Sequence, residues 1–120
     1  MSDYKNQIEK KLQENNWEII EINSSDEWWI DEHWKEKTFK SKVAIELIIV
    51  FKVDPQFEGN RKKGQGIWEI DALTKFPKDL IDKTNSIGSL SMTKRKFEIK
   101  LKEFILNLND YRRQEMEKED

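Results

Sequence analysis

From Val43 to Val53 the chain alternates without a break. Val43, Ile45, Leu47, Ile49, Phe51 and Val53 fall on one face, and Ala44, Glu46, Ile48, Val50 and Lys52 on the other. A period of two over this length is a strand. Because both faces carry aliphatic residues, the strand belongs inside a sheet. Asp54-Pro55 ends it, since proline lacks the N–H that a ladder requires.

The flanking segments supply its neighbours. Between Trp28 and Thr38 the even positions read Trp28, Ile30, Glu32, Trp34 and the odd ones Trp29, Asp31, His33, Lys35, Lys37, a strand with one wet face. A turn at 39–42 separates it from the central strand. After Gly59-Asn60-Arg61-Lys62-Lys63-Gly64-Gln65-Gly66, the run from Ile67 to Leu73 places Trp68, Ile70 and Ala72 inward. Trp17 to Ile22 reads as a first strand by composition. Burial fixes the parity of pairing. The expected partners are Trp34 with Leu47, Ile30 with Phe51, Phe51 with Trp68, and Ile49 with Ile70.

Helices close the chain at both ends. Tyr4, Ile8 and Leu12 form one narrow stripe, and Phe97, Leu101, Phe104, Ile105, Leu108 and Tyr111 a broader one, widened by Ile99 and Leu106. Pro77 suits the start of a short helix near 77–83, and 84–91 reads as a turn-rich connector. The expected fold is α+β: a four-stranded antiparallel meander sheet, order α-β-β-β-β-α, with the terminal helices packed mainly on one face. One domain spans 1–111, and 112–120 is a charged tail expected to fray.

Composition narrows the function classes. The 120 residues contain no cysteine, which excludes disulfides and thiolate metal sites. No apolar run approaches the length of a membrane span, and the N-terminus lacks a secretory pattern. A cytoplasmic protein with no membrane partner is expected. Residues 1–37 carry five Lys against ten Asp or Glu, and the remainder seventeen Lys or Arg against fourteen, so neither half is a dedicated polyanion binder.

Four constellations carry candidate chemistry. On the outer sheet face the expected registers align Asp31, Val50 and Glu69 in one row and His33, Ile48 and Asp71 in the next. Carboxylates roughly 9–10 Å apart across a strand would span the gap of an inverting glycosidase, but only inside a walled cleft. His33 with Asp31 and Asp71 would supply metal ligands, although a surface His–carboxylate pair is the plainer reading and no metal or cofactor is assigned. Glu32 interrupts an apolar series between Ile30 and Trp34. A bulge turns it out, an edge lets it snorkel, or it is buried and paired.

The glycine-rich loop lacks the Lys-Ser/Thr ending of a phosphate loop, and it opens a strand where the dinucleotide motif opens a helix. It reads as a solvated hairpin tip. Its alternative is a grip in which Arg61, Lys62 and Lys63 meet phosphates while Trp68 or Phe57 stacks a base, aided by Lys94, Arg95, Lys96, Lys100 and Lys102. The leading expectation is a non-catalytic binding or accessory module for an unidentified protein or small ligand. Its surface would be the open sheet face, with Trp29, Asp31, His33, Ile48, Val50, Glu69 and Asp71, together with the 55–66 loop. Weak nucleic-acid binding is second, and a small enzyme at Asp31, His33, Glu69 and Asp71 is third.

Overall fold

A computed structural model describes residues 3–40, 43–58, 62–92 and 96–118. Among them the order is α1 (Asp3–Glu14), β1 (Glu18–Ser24), β2 (Ile30–Lys40), β3 (Val43–Val53), β4 (Ile67–Leu73), β5 (Ser86–Ser91) and α2 (Phe97–Glu117). The strands form one antiparallel meander in chain order, with β3 at its centre. The α+β class and terminal helices are as expected, but the sheet has five strands. No helix among the described residues is long and apolar enough to cross a membrane.

The end of α1 shows how local sequence builds the front of the molecule. Asn16 adopts a left-handed φ of 68°. The N–H of Trp17 then reaches Leu12 O at 2.9 Å, and that of Asn16 reaches Gln13 O at 3.1 Å. This closure satisfies the last carbonyls and carries Trp17 and Leu12 into the same core. That core lies between the helices and one sheet face. It joins Ile8, Leu12 and Trp17 to Trp34, Leu47, Ile49, Phe51 and Ile70, under Leu101, Phe104, Ile105 and Leu108.

Register parity follows burial, but three of the four expected pairings shift by two residues, and Ile30 shifts by one to pair with Lys52. Trp34 faces Ile49, Glu36 faces Leu47, Phe51 faces Ile70 and Ile49 faces Ala72. A bulge between Ile30 and Glu32 leaves Asp31 as the extra residue. Ile30 thereby turns to the back of the sheet, where it packs with Trp29, Val50 and Leu73 instead of opposite Phe51. A second irregularity, between Lys52 and Val53, brings Ile67 opposite Val53 and leaves Trp68 39% exposed, not inward.

Three further expectations are corrected. The connector at 84–91 contains β5, whose Leu90 enters the core. Gly88 disguises it: a Cβ there would lie 3.3 Å from Asn107 Cβ, so the missing side chain lets α2 approach the strand. The segment 77–83 is not a helix. Asp79 and Asp82 accept the backbone N–H groups of Ile81, Lys78 and Thr84 at 2.8–3.1 Å, and such local acceptors compete with helical bonding. Finally, α2 continues through the expected tail to Glu117. Arg112 explains part of this. It donates to Asn15 O at 2.8 Å and Thr38 Oγ1 at 3.1 Å, with its guanidinium 5.2 Å from the Trp17 ring centre.

Candidate functional site

The back of the sheet is less open than its strand pattern implies. Segment 74–85 lies across it: Lys52 Nζ donates to Leu80 O at 2.9 Å, and Phe76 packs edge-on to His33 at 5.0 Å. Leu80 joins the apolar cluster of Trp29, Ile30, Val50 and Leu73, with Ile48 at its margin. Of the expected surface residues, Trp29, Val50 and Asp71 are buried and Ile48, His33 and Glu69 are half-buried.

The two expected rows do not form. His33, Val50 and Asp71 share one row instead. Asp31 stands apart from it, because the bulge delivers Asp31 to Lys5 of α1. The acidic groups that remain behind the sheet are neutralised. Asp71 pairs with buried Lys52, while Lys83 Nζ contacts Asp71 and Ser89 at 2.9 Å each and also Glu69. Burial alone would raise the Asp71 carboxyl, but hydrogen bonds from Lys52, Ser89 and Lys83 outweigh it and hold it below the usual range. Burial opposes the charge on Lys83, yet Glu69 and Asp71 raise it above the ordinary lysine value. Both groups are fixed in charged forms, which suits a clamp and not proton transfer near neutrality. The His33 imidazole is lowered by burial, with Glu21 opposing. No group of three or more metal-ligating side chains is assembled among the described residues.

Glu32 realises the buried and paired reading. It accepts from Trp34 Nε1 at 2.9 Å and lies 2.9 Å from Lys5 Nζ and 3.7 Å from Lys63 Nζ. Lys5 also holds Asp31 at 2.8 Å and sits 5.0 Å from the Phe51 ring centre. Beside this group the glycine loop docks through Gly64 N–H on Asp31 Oδ1. Gly59, Asn60 and Arg61 lie outside the described residues, as do Lys94 and Arg95. Lys62, Lys63 and Trp68 are exposed, while Phe57 packs under Gly66.

Two features escaped the strand-by-strand reading. Glu36, at the next inward position of β2 after Trp34, is fully buried, and neither oxygen has a hydrogen-bond partner. Burial first, and then Glu9, pushes its carboxyl up to about 8. Extending the even-numbered alternation beyond Trp34 exposes this residue in the sequence. The second feature is a cleft of about 790 Å³ between α1 and α2. Its floor is Leu101 and Ile105, and its wall carries Ile99 and Leu106, 58% and 52% exposed. These two residues do not widen the buried stripe, as their spacing suggested; they form a separate apolar ridge seven residues apart.

Comparisons with protein families, curated proteins and solved structures find no match.

Proposed function

We propose that this chain is a non-catalytic binding module whose docking surface is the α1–α2 groove. The observation that carries this reading is the pair Ile99 and Leu106, more than half exposed beside the buried Leu101 and Ile105. Large apolar side chains grouped on a concave surface are the usual sign of a partner site. Both walls are helices, whose backbone groups are already bonded. An occupant of this groove must therefore satisfy its own backbone, so an amphipathic helix of a partner protein fits where an extended strand does not. From Glu98 to Leu106 the wall rises about 12 Å, enough for roughly two turns. On the rim, Lys11 is paired with Glu14, leaving Lys10 and Lys102 against Glu98. The partner helix would carry a mildly acidic flank. Replacing Ile99 and Leu106 together with Glu should leave the fold intact and abolish partner retention. Undiminished retention by the double variant contradicts the groove.

A second reading rests on Trp68. Trp68 is 39% exposed in β4, and the exposed Lys62 and Lys63 precede it in the adjoining loop; an indole and two cations are the elements of a single-strand contact. Salt-dependent oligonucleotide binding that is lost in Trp68→Ala would support it.

A further inference from the structure

The front face of β2 carries Glu32, Trp34, Glu36 and Thr38 at alternate positions. Two contacts fix the course of α1 over this row. Near the start of the helix, Lys5 Nζ lies 2.9 Å from Glu32 Oε1 and 2.8 Å from Asp31 Oδ2. Just past its end, Asn16 O accepts a hydrogen bond from Thr38 Oγ1 at 2.8 Å. Glu36 stands between these two pins, so the helix passes over it. Its side chain is fully buried, and neither carboxyl oxygen has a hydrogen-bond partner among the described residues.

Among the described residues no cation forms an ion pair with Glu36. Lys5 is held at the first pin by two carboxylates. Arg112 of α2 reaches Thr38 Oγ1 at 3.1 Å and also serves Asn15 O and Asn109 Oδ1. The cross-strand partners are apolar, Ile19 of β1 and Leu47 of β3. Lys35 and Lys37 turn to the back of the sheet by alternation. Burial first, and then the like charge of Glu9 on α1, pushes the Glu36 carboxyl up to about 8. A buried carboxyl without partners is tolerated in its neutral form only.

Glu36 has no easy way to turn over. It lies on an interior strand, laddered to β1 and β3, and reversing it would put the following side chains on the wrong face. The movable element is α1, which joins the sheet through left-handed Asn16 and is pinned at its start by an ion pair. We propose that protonated Glu36 is a latch that keeps α1 docked on β2, and that its ionisation releases α1 as a unit. Gln7, Lys10 and Lys11 of α1 form one wall of the α1–α2 groove. The latch therefore gates docking: the groove is complete in the protonated state and dismantled in the ionised one. This last step rests on the groove reading, and the latch itself does not.

Amide hydrogen exchange of the purified full chain between pH 5.5 and pH 7.5 tests the latch, with protection referred to the unstructured rate at each pH. Once α1 is released, Glu36 ionises at its ordinary value, so the docked state holds one extra proton and opening becomes about tenfold more favourable per pH unit. The bonded amides of α1 should lose roughly a hundredfold in protection over this range and stay less protected than those of β3 at every pH. Glu36→Gln matches the protonated side chain in shape, and Glu36→Leu removes the polar group altogether. Both should hold α1 protection constant with pH. Three results overturn the latch: α1 protection equal to that of β3, which means the helix leaves only with the whole fold; a flat profile in the parent; or an unchanged slope in both variants. Partner retention is read separately. The expected loss of α1 protection, found together with undiminished retention by the Ile99→Glu, Leu106→Glu variant, upholds the latch and overturns the groove alone.

Discussion

The backbone N–H of Gly64 donates to Asp31 Oδ1 at 2.7 Å, which fastens the glycine loop to the bulge in β2. The loop is thus held by a carboxylate and does not project as a free tip. Asp31→Ala should cost about 1–3 kcal/mol, since it leaves the amide and Lys5 with fewer partners. Two neighbouring glycines should respond unequally. Gly64 has φ of 87° with open space around it, so Gly64→Ala should cost about 1–2 kcal/mol from backbone conformation alone. Gly66 has φ of 72° and an added Cβ would lie 2.7 Å from Phe57 Cδ2, so Gly66→Ala should cost more. Urea unfolding of the three variants gives the order.

Stability should fall as pH rises through the range set by Glu36. Its folded carboxyl titrates near 8 against an ordinary value of 4.5. The folded chain therefore holds the extra proton within that window. The stabilisation is complete below pH 4.5 and is lost progressively up to pH 8, at a limiting slope of about 1.4 kcal/mol per pH unit. Glu36→Gln should remove this slope, so its stability relative to the parent should improve between pH 5 and pH 8.5. Glu9→Lys should stabilise the fold at pH 8 by supplying the cation that Glu36 lacks. Chemical denaturation at the two pH values measures both effects, and parallel pH profiles for parent and Glu36→Gln would contradict the assignment.

Removing Asp71 should be among the most damaging changes behind the sheet. Lys52 is fully buried, and losing Asp71 would leave its charge with only Leu80 O and the more distant Glu69 Oε1 at 3.9 Å. Asp71→Ala should cost about 3–5 kcal/mol, whereas the joint change Lys52→Met with Asp71→Leu should recover much of that loss. Lys83→Ala should cost less than about 1 kcal/mol, since Lys83 is partly exposed and solvent screens its contribution. A double-mutant cycle on Lys52 and Asp71 provides the coupling energy.

The two tryptophans assigned to the core should separate clearly. Trp34 packs at a tilt against Phe51, ring centres 4.7 Å apart, and is buried, so Trp34→Ala should cost about 3–5 kcal/mol. Trp68→Ala should cost clearly less than Trp34→Ala, because Trp68 is 39% exposed while Trp34 is 2% exposed. Thermal melts of the two variants distinguish them.

These residues also mark what the sequence made legible. The alternation of Val43–Val53 reveals the central strand, and the Leu101–Leu108 stripe reveals the helix that covers it. Alternation fixes which face a residue takes only until a bulge intervenes. The irregularities at Asp31 and near Trp68 reversed the expected position of Ile30, exposed Trp68 and broke up the Asp31–Glu69 row. Both depend on pairing between distant segments and leave no local periodic signal. β5 was obscured by Gly88, whose role is to make room for α2. The turns near Asp79 and Asp82 were concealed by a proline that would equally begin a helix. Glu36 was legible by extending one alternation by two residues. The α1–α2 groove was not, since it needs the relative placement of two helices from opposite ends of the chain.

Photo-crosslinking from the groove tests the binding account most directly. A benzoylphenylalanine replaces Leu106 in one protein and Ile81, 80% exposed behind the sheet, in another. Each is irradiated in extract of the native host. The account predicts a discrete protein adduct from position 106, its loss when Ile99→Glu is added, and no such adduct from position 81. The same adduct from both positions, or one from position 106 that survives Ile99→Glu, would contradict docking in the α1–α2 groove.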